Sequence, residues 1–63
     1  MPIITLDGPK LTKEQKKELI KGFTETASNV VNLPEEAFVV LIKEMEAENV
    51  GVGGELLAEK HGE

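Results

Sequence analysis

The run Ala37-Phe38-Val39-Val40-Leu41-Ile42 constrains this chain more than any other stretch. A strand with one face in water alternates apolar and polar residues. This one does not alternate, so both of its faces need cover. In a chain of 63 residues that is hard to supply. A domain of this length buries only about 60% of the surface its unfolded chain exposes, so its core is marginal. Disulfides, a metal or association of copies ordinarily makes up the shortfall. Cysteine is absent, which removes disulfides and thiolate chemistry. The single histidine, His61, sits in a polar tail and reads as solvent-exposed, which argues against a structural zinc site. Oligomerisation is the remedy that remains.

The rest of the chain supplies neighbours for that run. Ile3-Ile4-Thr5-Leu6 reads as a short strand, closed by the turn residues Asp7-Gly8-Pro9. Thr12, with Gln15 three residues on, fits a capping box, and Glu14 suits the first turn of the helix that follows. Leu19, Ile20, Phe23, Ala27, Val30 and Val31 recur at spacings of three and four and line one helix face. Lys13, Lys16, Lys17, Lys21 and Glu25 read as the solvated side. Pro34 disfavours helical geometry in Leu33, so the helix is expected to stop near Asn32-Leu33. Pro34-Glu35-Glu36 makes a turn, or one short helical turn, before a strand over 38–42.

Strand, helix and strand with short joints predict a parallel βαβ unit with a right-handed crossover. Residues 46–49 read as a polar loop, Leu56-Leu57-Ala58 as a last short element, and 59–63 as a frayed tail. The fold class is therefore α/β: one domain, residues 1–63, a single βαβ unit with a short C-terminal hairpin or turn. It is expected to complete its sheet by oligomerisation.

Charge narrows the partners. The formal net charge is −5, all seven cations are lysines, and Trp and Tyr are absent, which disfavours nucleic acid. No apolar run reaches the ~18 residues a membrane span needs. No signal-peptide pattern is present, so no membrane partner and a cytoplasmic location are expected.

The candidate chemistry is sparse. Gly51-Val52-Gly53-Gly54 lacks the Lys-Ser/Thr of a P-loop and the spacing of a dinucleotide fingerprint, so it reads as a tight turn or hairpin. Glu35, Glu36, Glu44, Glu46 and Glu48 read as solvated, with no pair specified to converge. Pro2 is different. Met before a small residue is normally removable, and its removal turns the Pro2 nitrogen from an amide into a basic secondary amine. An ordinary α-amino group titrates near pH ~8. A low-dielectric pocket disfavours the charged form and lowers that value. The product is a nitrogen base suited to general acid–base work near neutral pH.

Pro2 opening a strand, Glu14-Gln15-Lys16, Leu19-Ile20, Glu44-Met45 and Gly51-Val52-Gly53-Gly54-Glu55 follow one another in an order that resembles the 4-oxalocrotonate tautomerase family over nearly the whole chain. The resemblance implies a βαβ subunit assembled as a hexamer, a trimer of dimers, with active sites at subunit boundaries. It implies an N-terminal proline that carries a proton between the enol and keto forms of a small-molecule substrate, with no metal or organic cofactor. The family's loop arginine corresponds to Lys10 or Leu11, its strand arginine to Val39, and its pocket aromatic to Val50. Lys43 shares the strand face of Val39 but lies about 13 Å further on, too far to replace the lost charge. A lysine at position 10 offers a point charge, not a bidentate fork.

Losing one charge-assisted contact costs roughly 1.5–3 kcal/mol, about ten- to hundredfold in rate. Weak or absent activity on dicarboxylate dienols is therefore expected. The expected substrate is a weakly acidic or apolar enol or α-keto compound, with Pro2 catalytic and Lys10, Leu11, Val39 and Val50 lining its site. Two other uses of the scaffold stand beside this one. Pro2 can form an iminium or assist hydration of an activated alkene, or the oligomer can bind small apolar ligands without chemistry.

Overall fold

A computed structural model describes residues 1–61 of the chain. Strand β1 (Ile3–Gly8) leads to helix α1 (Lys13–Val31), then a 3-10 turn (Glu35–Ala37) and strand β2 (Val39–Glu44). A second 3-10 turn (Ala47–Asn49) precedes strands β3 (Gly51–Val52) and β4 (Glu55–Leu56) and helix α2 (Leu57–His61). β1 and β2 pair in parallel, from Ile3 opposite Val39 to Gly8 opposite Glu44. The ladder continues past both ends. The Val39 N–H donates to the Pro2 carbonyl at 3.0 Å, and the Met45 N–H to the Gly8 carbonyl at 2.9 Å.

Each joint has a local cause. The Thr12 hydroxyl accepts from the Gln15 N–H, and the Gln15 side chain accepts from the Thr12 N–H, so both ends of the expected capping box are closed. Asn32 ends α1 in the left-handed region at φ 65°, with its N–H on the Ser28 carbonyl. The Ser28 hydroxyl then donates to the Leu33 carbonyl, and Pro34 prevents continuation. Gly53 (φ 62°) and Gly54 (φ 85°) form the two central residues of the β3–β4 hairpin, where positive φ at both positions favours glycine. The glycine cluster is a hairpin.

Several expectations need correction. β1 runs two residues beyond Leu6, because pairing of Asp7 with Lys43 and Gly8 with Glu44 outweighs their turn chemistry. β2 is shifted to 39–44, with Ala37 in the preceding 3-10 turn and Phe38 between the two. The polar stretch 46–49 contains a 3-10 turn instead of a plain loop. Leu56 belongs to the hairpin, and helix α2 extends to His61, through part of the stretch expected to fray. The expectations for the His61 side chain and for residues 62–63 lie outside the described residues.

The helix face is also only half used. Leu19, Phe23 and Ala27 are half-buried, but Ile20 and Val31 are exposed and Val30 is 77% exposed. Nineteen helical residues span about 29 Å, against about 20 Å for a six-residue strand. The start of α1 is tied to the end of β2 by Lys16 and Glu44, so the excess length overhangs at the Val30 end.

The sheet's other face has no cover. Ile4, Leu6, Val40 and Ile42 are half-buried, whereas Ile3 (60%) and Leu41 are exposed on the opposite side. Among the described residues no side chain is buried. The radius of gyration is 15.1 Å, where a compact chain of this length has about 11 Å. The accessible surface is 5028 Å², where a folded monomer of this mass has about 4,000 Å². Among the described residues, no helix is long and apolar enough to cross a membrane.

Candidate active site

The two ends of the parallel sheet carry different parts of the predicted site. At the opening end, Pro2 is half-buried just before β1, and its carbonyl is fixed by the Val39 N–H. Pro2 and Val39 are thus neighbours. Met1 is 87% exposed, so its removal takes away no packing.

At the far end, the loop between β1 and α1 folds against the end of β2. The Leu11 N–H donates to a Glu44 carboxylate oxygen at 2.9 Å. Lys16 Nζ reaches the same oxygen at 3.0 Å. The Leu11 hydrogen bond, and then that of Lys16, hold the Glu44 carboxyl below its ordinary pKa. Lys10 Nζ lies 2.9 Å from Glu46 Oε2. That hydrogen bond and the carboxylate's charge raise the Lys10 pKa. Both Lys10 and Val50 line an open cavity of about 690 Å³. Pro9, Met45, Ala47 and Leu57 make most of its remaining wall apolar, and Asp7 and Glu46 add carboxylates. Val50 is held on both sides: its N–H donates to the Ala47 carbonyl, and its carbonyl accepts from the Leu57 N–H at 2.8 Å.

One chain does not bring these two ends together. The six residues of β1 separate Pro2 from Lys10 by about 20 Å. Pro2 with Val39, and Lys10 with Leu11 and Val50, are therefore two separate groups within one chain. Leu11 contributes its backbone N–H to the loop anchor and is not among the cavity-lining residues.

Glu44 and Glu46 are exposed, as the sequence reading expected, but each also pairs with a lysine, which that reading did not give. The available signal was indirect. Parallel pairing forces the end of β2 beside the residues that follow β1, so carboxylates at 44 and 46 meet cations at 10 and 16. Met45, Ala47 and Leu57 were missed because their role depends on the C-terminal segment folding back. Among the described residues no group of three or more His, Cys, Asp or Glu side chains is placed to hold a metal ion.

A parallel βαβ unit, a proline opening its first strand and a glycine hairpin after its second define a tautomerase-type protomer. The family model for tautomerase enzymes matches residues 2–60. A probable tautomerase of Campylobacter jejuni is 42% identical over 57 residues, covering 87% of this chain and 84% of that protein. The crystal structure of DmpI from Archaeoglobus fulgidus superposes with a TM-score of 0.83 at 40% identity, over 90% of this chain and 98% of that one. TomN, a 4-oxalocrotonate tautomerase homologue of the tomaymycin biosynthetic pathway, gives a TM-score of 0.91 at 25% identity, over 98% and 97%. The chain belongs to the 4-oxalocrotonate tautomerase family.

Proposed function

We propose that this protein is a cofactor-free isomerase that interconverts keto and enol forms of a small, weakly acidic or apolar α-keto compound. Family membership supports tautomerase chemistry in general. The placement of Pro2 carries the specific reading: it is half-buried at the opening of β1 and fixed through its carbonyl by Val39. After loss of Met1, the Pro2 lone pair takes a proton from the substrate α to its carbonyl. The electron pair of the broken bond moves into the enolate. The protonated Pro2 then returns a proton to another position, so substrate is isomerised and the amine is regenerated. General acid–base catalysis of this kind contributes about 10²–10⁴-fold.

The remaining groups come from a neighbouring protomer. Its cavity offers Val50 as a wall and Lys10 as the cation nearest a substrate oxygen, while Val39 lines the Pro2 end. The missing core and the uncovered sheet face favour a homo-oligomer, and the family resemblance favours a hexamer. Val39 in place of an arginine favours substrates with little charge.

The test is ketonisation of simple enol acids by Met1-free wild type, verified by N-terminal mass, and by Pro2→Ala. A drop in kcat of about 100-fold or more is expected. Equal rates contradict the reading.

A further inference from the structure

The cavity at the far end of the sheet carries a charge arrangement that the missing arginines alone do not explain. Its one lysine, Lys10, already has an anion: Glu46 Oε2 lies 2.9 Å from Nζ. Glu44 also acts on Lys10 through its charge, and Asp7 adds a further acidic residue to the cavity lining. Glu44, close by, is occupied by the Leu11 N–H and Lys16, so Lys16 is not free to balance Glu46 or Asp7. The rest of the wall is largely apolar, with Met45, Val50 and Leu57 prominent. The cavity, about 690 Å³, falls within the size range of small-molecule sites.

We propose that Glu46 is a specificity-determining residue: it occupies the Lys10 ammonium and so excludes dianionic substrates from the cavity that, under the proposed function, meets a neighbouring protomer's Pro2. The inference rests on the tautomerase reading and names its substrate class as neutral or singly charged. A substrate carboxylate entering this cavity must displace Glu46 from Lys10 or bind beside it, and in either case meets the repulsion of the Glu46 charge. A neutral carbonyl or enol oxygen can approach the ammonium while the ion pair persists, because lysine has three donors. The pair is open to solvent, with side chains 68% and 50% exposed, so it is a weak bond and a movable one. Removing Glu46 leaves Lys10 free to turn to an incoming anion.

Three proteins decide the matter: wild type, Glu46→Gln and the charge reversal Glu46→Lys, each checked for folding by far-UV circular dichroism. The first readout is kcat/KM for a dicarboxylate enol divided by kcat/KM for an uncharged enol. The ratio is expected to rise by up to about fivefold in Glu46→Gln, the upper end for one exposed charge interaction, and further in Glu46→Lys. The gain should appear in KM and shrink in 1 M salt, where the screening length is about 3 Å. Adding Lys10→Gln to Glu46→Gln should abolish it. The second readout is the dissociation constant of a saturated, non-reacting dicarboxylate, measured calorimetrically. It should tighten in step with the ratio. An unchanged ratio together with unchanged dicarboxylate affinity overturns the role of Glu46. If no enol is turned over by any of the proteins, the tautomerase reading fails, and dicarboxylate affinity alone decides for or against Glu46.

Discussion

Pro2 has a well-defined backbone partner, the Val39 N–H. Its place was legible because a proline followed by a β-branched run reads directly as the opening of a strand. Val39 was legible only through the family resemblance; the structure sets its N–H on the Pro2 carbonyl. Glu44 was not. Its role depends on which loop lies beside the end of β2, and no local pattern records that. Two donors now hold its carboxylate: the Leu11 N–H and Lys16 Nζ. The pH consequence follows from the direction of the shift. The folded protein holds Glu44 below its ordinary pKa of 4.5. The carboxylate therefore stabilises the fold above that pH, and the contribution fades as pH falls through the lower, folded value. Glu44→Gln keeps an acceptor for Leu11 but loses the charge. Thermal melts should show the variant less stable than wild type at pH 7, with the gap closing as pH falls below 4.5. A gap that is constant across that range would mean the carboxylate's charge contributes nothing.

At the scale of elements, sequence pattern and structure agree where a local device sets the boundary. Thr12 with Gln15 starts α1, Asn32 and Pro34 end it, and Gly53-Gly54 turns the hairpin. They part where a distant neighbour sets it. Asp7 and Gly8 carry turn chemistry but join a ladder, since parallel pairing satisfies their backbone groups. Val30 keeps the helical period yet is exposed, because periodicity identifies a face but not how far the sheet beneath it extends. Gly22 allows a clean test of α1 itself. It sits mid-helix with open space around its Cα, so a methyl group meets nothing within 4 Å. Gly22→Ala should stabilise the fold by about 0.5–1 kcal/mol by removing backbone freedom from the unfolded chain. In a chain this short that is a rise of roughly 2–8 °C in Tm, read by circular dichroism. A fall would mean that the outer face of α1 is already covered in the assembled protein.

The whole molecule is open and lacks a core of its own. No side chain is buried among the described residues, the sheet has one uncovered face, and the chain extends over 43 × 24 × 15 Å. The sequence announced this shape through one stretch, the apolar run that became β2, which needs cover on both faces. The family resemblance already implied sites at subunit boundaries; the strand length adds which residues stand apart, with Pro2 and Val39 at one end and Lys10 and Val50 at the other. Under the proposed function, two chains complete a site by sharing one. Mixing two impaired variants tests this sharing. Pro2→Ala replaces the cyclic secondary amine with an ordinary, less basic and less rigidly held primary α-amine, and Val50→Glu places a carboxylate in the cavity while sparing Pro2. The two proteins are unfolded, refolded together, and assayed for ketonisation of an enol acid. In a symmetric oligomer assembled at random, about a quarter of the sites receive an intact Pro2 from one chain and an intact Val50 from another. Recovery of about a quarter of wild-type activity is expected; a mixture no more active than its two components refolded separately would contradict a site shared between protomers.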